Sequence, residues 1–105
     1  MKIIGNKMDI NSAIENYNIL TKSQKKILKS LLEVAVNNEV IITIEEIAKI
    51  NKATRATVTT AIEVFKKNDI ISVPNQTGIR FSSCIINQDK INQIINHYNN
   101  KIKLL

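Results

Sequence analysis

The chain has 105 residues, 44% of them hydrophobic, enough for one small core but not two. Fifteen lysines and arginines against nine acidic residues leave a formal charge of +6, which favours a polyanionic partner, although Ile, Asn and Lys make up nearly half of the residues and part of the lysine excess is compositional. Cys84 is the only cysteine and Gly5 and Gly78 the only glycines, which excludes a disulfide framework, a multi-thiolate zinc site and a phosphate-binding glycine loop.

The opening MKIIGNKMDI lacks the apolar run of a signal peptide, and no stretch reaches membrane-spanning length. The expected compartment is therefore the cytoplasm. Residues 1–8 read as a loose or strand-like start. From Asp9 to Leu20, Ile10, Ala13, Ile14 and Tyr17 recur at helical spacing, the mark of a short amphipathic helix. Thr21 followed by Gln24 is a capping box that opens a helix through about Val36. Its buried face is Ile27, Leu28, Leu31, Leu32 and Ala35. Lys22, Lys25, Lys26 and Lys29 lie along its flank, either a solvated face or a phosphate-facing ridge. Asn37 and Asn38 can take the left-handed conformation that ends a helix. Glu39–Thr43 is β-branched and short, hence a strand.

Thr43 and Glu46 form a second capping box. Ile44, Ile47 and Ala48 share one face of the helix that follows, with Ile50 at its end. Asn51-Lys52-Ala53 breaks the pattern, and Thr54 caps another helix. There Val58, Ala61, Ile62 and Phe65 make one buried stripe. Arg55, Ala56, Thr59, Thr60, Glu63 and Lys67 lie opposite, a small, hydroxyl-rich face flanked by cations that can sit deep in a groove. Ile70–Val73 and Ile79–Ile86 read as strands around the turn Pro74–Gly78. Cys84, in the second of them, reads as a core residue rather than a nucleophile. Asn87–Leu105 closes the chain as an amphipathic helix with Ile91, Ile94, Ile95, Tyr98, Ile102 and Leu105 on its apolar side. The domain before it already has a core, so this stripe is expected to meet a second copy of the chain. His97, with no second histidine or acidic neighbour, does not point to a metal. No Ser, His and acid set stands out, so neither enzyme activity nor a cofactor is expected.

The stretch Thr43–Asn68 resembles the helix-turn-helix of bacterial DNA-binding proteins. Ala48, Ala53, the run Thr54-Arg55-Ala56-Thr57-Val58, and Ala61-Ile62 match that family's pattern. One departure is Lys52, where the family usually has a glycine; a left-handed backbone costs more for lysine, so a slightly altered turn is expected. The hairpin after the second helix looks like the wing of a winged helix-turn-helix, and the strand Glu39–Thr43 suits the one that precedes the helix pair in such proteins. The helix-turn-helix and wing resemblance spans residues 43–86, reaching back to about 21 with the preceding helix.

The resemblance implies a mostly α fold with a small antiparallel β wing: a winged helix-turn-helix with additional N- and C-terminal helices. The expected organisation is one domain over 1–105, with an extension at 1–20, a winged-helix core at 21–86 and a dimerising helix at 87–105. It further implies a homodimeric transcriptional regulator on double-stranded DNA. The recognition helix, about 54–68, would enter the major groove, with the wing, about 70–86, on the flank. Thr54, Arg55, Ala56, Thr57, Thr59, Thr60, Glu63 and Lys67 would face the groove. Asn75, Gln76, Thr77 and Arg80 would touch the minor groove or backbone, and Lys25, Lys26 and Lys29 the phosphates. Pairing of the C-terminal helices would set two recognition helices about 34 Å apart, one DNA turn; the N-terminal helix offers a competing dimer surface. Two alternatives remain: a plasmid or phage replication-initiation protein, and a winged helix used for protein interaction without DNA.

Overall fold

The computed structural model describes residues 7–74 and 81–103, with side chains over 10–74 and 81–101. Helix α1 spans Lys7–Glu15 and α2 spans Lys22–Val34. α1 starts two residues before the expected helix and ends five before Leu20. Its pattern is broken by asparagines at 16 and 18, which favour turns over helix interiors. Asn16 donates from Nδ2 to the Ser12 carbonyl (2.8 Å), and Tyr17 and Leu20 close successive turns onto Ile14 and Tyr17. At Thr21 the capping box forms as its spacing requires. The Gln24 amide donates to Thr21 Oγ1 (3.2 Å) and the Thr21 amide to Gln24 Oε1 (3.0 Å).

α2 stops at Val34, with Ala35 already extended. Asn37 and Asn38 are both left-handed (φ 53° and 67°), but they make a two-residue turn rather than the helix cap. Val36 and Glu39 exchange backbone hydrogen bonds across them (2.9 and 3.0 Å), the geometry in which paired left-handed asparagines match the strand twist. Strand β1, Glu39–Ile41, follows.

Helices α3 (Ile44–Asn51) and α4 (Arg55–Lys67) form the expected pair. Thr43 and Glu46 complete the second capping box, and Thr54 Oγ1 accepts from the Thr57 amide (3.1 Å). Lys52 adopts the left-handed conformation (φ 53°, ψ 47°). Across the turn Ala53 donates to the Ala48 carbonyl (2.9 Å) and Lys52 to that of Lys49 (3.3 Å). Lysine takes the left-handed conformation itself and bears its conformational penalty. Replacing Lys52 by glycine is therefore expected to stabilise the chain by about 0.5–1 kcal/mol, the strain relieved less the added freedom of the unfolded chain. A urea melt of Lys52→Gly showing no gain would contradict this. Asp69 (φ 60°) ends α4 in the same way, with the Ile70 amide reaching the Phe65 carbonyl (2.8 Å).

Strands β2 (Ile71–Ser72) and β3 (Ser83–Ile86) pair antiparallel, with Ile71 opposite Ile86. β1 lies along the other edge of β3, with Val40 opposite Cys84, giving the order β1-β3-β2. Val40, Cys84, Ile71 and Ile86 point into the core, while Ile41 and Ile85 are exposed on the outer face. Both described strands of the hairpin are shorter than expected. Residues 75–78 of the turn and the first two of the returning strand, Ile79 and Arg80, lie outside the described residues.

α5, Gln88–Lys103, begins at Asn87, whose Oδ1 accepts from the Lys90 amide (3.3 Å). Its apolar stripe does not lack a partner within the chain, contrary to expectation. α5 packs against α1, and Ile91, Ile94 and Ile95 are buried in the same cluster as Ala13 and Ile14, with Tyr98 partly buried against it. Two amphipathic terminal helices thus cover each other. Each alone exposes an apolar stripe, and burying both removes about 25 cal/mol of unfavourable hydration per Å² of apolar surface.

Cys84 is fully buried, and burial pushes its thiol up to about 11. Only a trace of thiolate exists near neutrality, so a thiol reagent at pH 8 should leave the folded chain untouched and label it once urea unfolds it. Fast labelling of the native chain would overturn that placement.

Candidate nucleic-acid interface

α4 is fixed by its buried side. Val58, Ala61 and Phe65 have no exposed surface and Ile62 almost none. Ala48 on α3 is small and buried where the two helices pack, as the sequence pattern requires. What remains outside on α4 is Arg55, Ala56, Thr59, Thr60, Glu63 and Lys67, all exposed. Thr57 is half-buried and engaged in the cap, its hydroxyl accepting from Thr54 Oγ1 (3.0 Å). The small residues Ala56, Thr59 and Thr60 leave a low surface between longer side chains at either end.

Two shallow depressions border this surface and share Thr60. One, of about 250 Å³, is lined by Ser23, Gln24, Ala56, Thr57 and Thr60; the other, of about 400 Å³, by Thr60, Glu63, Val64, Lys66 and Lys67. Ser23 and Gln24 were not legible as part of this surface. The capping box marks the start of α2, but only the packing of α2 on α4 brings that start beside Ala56.

The ion pairs set the local charge. Arg55 donates from Nη1 to the Glu45 carboxylate on α3. Lys66 pairs with Glu63 (3.3 Å), so Glu63 already has a cationic neighbour. The α3–α2 angle is held by a buried polar knot around Asn51. Its Nδ2 donates to Ser30 Oγ (3.0 Å) and the Ile47 carbonyl (2.9 Å), while Lys26 Nζ donates to the Asn51 carbonyl (3.2 Å). Asn51 is the one buried polar residue among those described, and both its amide hydrogens are satisfied, as burial demands.

The lysine flank of α2 is not a bare ridge. Lys29 pairs with Glu15, and Lys25 donates to the Glu15 carbonyl (2.6 Å) and to Asn18 Oδ1 (3.2 Å). Two of the three candidate phosphate contacts are thus turned onto the end of α1, and Lys26 onto the last residue of α3. The hydrogen bond from Lys29, and then its charge, hold the Glu15 carboxyl below its usual range. That small contribution to stability is present above the ordinary carboxylate range and is lost as pH falls through the lowered value. Asn75, Gln76, Thr77, Arg80 and Leu105 lie outside the described residues, as does the side chain of Ile102. Among the described residues no group of three or more His, Cys, Asp or Glu side chains could hold a metal ion, and no helix is long and apolar enough to cross a membrane.

A scan against protein-family models and a search of curated proteins each found no match. Among solved structures, the chain is similar to a protein of the thermoacidophilic archaeon Sulfolobus tokodaii, with a TM-score of 0.58 and 19% identity over 99% of this chain and 97% of that one. It is similar to Staphylococcus aureus MarR, solved with salicylate and kanamycin, with a TM-score of 0.59 and 15% identity, spanning 92% of this chain but 63% of that one. A third likeness is to a "possible transcriptional regulator" from Methanosarcina mazei Go1, with a TM-score of 0.55 and 19% identity over 98% and 87% of the two chains. These are likenesses of fold, found in archaea as well as bacteria. The chain has a mostly helical winged helix-turn-helix fold with a small three-stranded antiparallel sheet.

Proposed function

We propose that the chain is a non-enzymatic transcriptional regulator that binds double-stranded DNA in the cytoplasm. α4 enters the major groove, and the winged-helix core is flanked by the helix pair α1 and α5. The observation that carries this is the outward face of α4: Arg55, Ala56, Thr59 and Thr60 form a low, exposed surface on a helix whose other side is anchored in the core. A helix that is both rigidly held and low-profiled on its outer face fits a groove that admits one helix. The net charge of +6 supports a polyanionic partner. Similarity in fold to MarR and to a "possible transcriptional regulator" supports the regulatory role.

In this reading Thr54, Arg55, Ala56, Thr59 and Thr60 approach base edges, and Lys67 meets phosphate. Ser23 and Gln24 at the start of α2 join them on the backbone. Lys25, Lys26 and Lys29 contribute general attraction, since their ammonium groups already bond within the chain. The regulator acts as a homodimer joined through its terminal helices. The buried Ile91, Ile94 and Ile95 support the joint α1–α5 unit, so a second copy meets the outer surface of that unit rather than this stripe.

The test is binding to labelled duplex across a salt series, comparing the gene's own upstream region with a random duplex. Preferential binding to the upstream region, with log affinity falling linearly as log salt rises, is the expected result. Weak, salt-insensitive association with both duplexes would overturn DNA binding.

A further inference from the structure

Arg55, the first residue of α4, is joined to Glu45 on the preceding helix. Their side chains are 64% and 50% exposed, so water screens the pair and it adds little to the stability of the fold. Nor does Glu45 make the cap of its own helix, which Thr43 and Glu46 complete between them; its carboxylate adds only a small favourable interaction with the helix dipole. A carboxylate beside a DNA-facing arginine is, in addition, repelled by phosphates. On affinity alone the position would be better filled by a neutral residue.

The benefit lies in geometry. Guanidinium carries five donors in one plane, and a carboxylate oxygen held by the Nη1 end alone biases where the fork lies while leaving the other donors for a second acceptor. A phosphate accepts from many directions, but a guanine edge accepts two parallel hydrogen bonds in one plane. An arginine both held and partly neutralised loses attraction to any backbone and keeps its fit to one base edge.

We propose that Glu45 is a positioning residue for Arg55, which sets the discrimination between a specific site and random DNA. This rests on the DNA-binding reading above. Glu45 lowers affinity for all duplexes through its charge, and lowers it least where Arg55 meets a base edge in the orientation the carboxylate favours.

The experiment uses the full chain and Glu45→Gln, each alone and with Arg55→Ala, and two probes. One is the strongest duplex that the unaltered chain selects from a random library; the other is a scrambled duplex of the same composition. Glu45→Gln should tighten binding to the scrambled duplex and steepen its salt slope by about one. Binding to the selected duplex should gain less, so that the affinity ratio falls by about threefold to tenfold. With Arg55→Ala already present, Glu45→Gln should leave the ratio unchanged. Thermal melts of the variants should lie close to the unaltered chain, with Glu45→Gln slightly lower for the loss of a first-turn carboxylate at the helix dipole. An unchanged ratio on Glu45→Gln, or an equal fall without Arg55, would overturn the positioning role while leaving DNA binding intact. Failure of the unaltered chain to bind any duplex would overturn both.

Discussion

Truncating Ile95 to alanine is expected to destabilise the whole domain by about 2–5 kcal/mol, the loss of a buried branched side chain plus the cavity it leaves. Small domains have about 5–15 kcal/mol in total, so the variant should unfold at a much lower urea concentration. Ile95 is only 2% exposed and belongs to the cluster that includes Ala13 and Ile14 of α1. Loss of helical signal should therefore coincide with loss of the α4 core, and the size of the shift should not depend on protein concentration. If Ile95 served only a seam between two copies, the variant would melt like the unaltered chain when dilute and differ only at high concentration. That result would remove α5 from the core.

Replacing Arg55 by alanine should weaken binding to a selected duplex by about 1–3 kcal/mol if its fork reads a base. The loss should concentrate at one position of the site, where the preference for guanine disappears. Measured against a scrambled duplex, the same substitution should cost much less, because only a single partly neutralised charge is removed. Equal losses on both duplexes would reduce Arg55 to a phosphate contact. Since the side chain is exposed and paired only with Glu45 among the described residues, folding is not expected to change, and a melt separates the two effects.

The helix pair was legible because its signals are local. Thr43 with Glu46 and Thr21 with Gln24 each satisfy backbone groups within three residues, so the same bonds appear wherever the chain folds. The stripe Val58, Ala61, Ile62 and Phe65 tells which side of α4 is buried, and by subtraction which side is left for a ligand. Lys52 shows the limit of such reasoning. Its cost in the left-handed region was readable, but not that the packing of Ala48 and Ala53 would hold the turn in place despite it. Local penalties of about 1 kcal/mol yield to tertiary packing.

The terminal helices and the lysine flank went differently. An apolar stripe on α5 states that something must cover it, and is silent on whether that is α1 or another chain, because the hydrophobic effect has no direction. Four lysines at helical spacing define a flank, yet whether they face solvent or bond to Glu15, Asn18 and Asn51 depends on where α1 and α3 lie. Likewise the pairing of β1 with β3, and the approach of Ser23 and Gln24 to α4, join residues far apart in the chain. The sequence by itself determined the helices, their caps, their buried faces and the low outer face of α4, since each follows from spacings of three or four residues. Only the tertiary structure decided what covers α5, where the lysines point and that Glu45 holds Arg55, since those are matters of which surfaces meet.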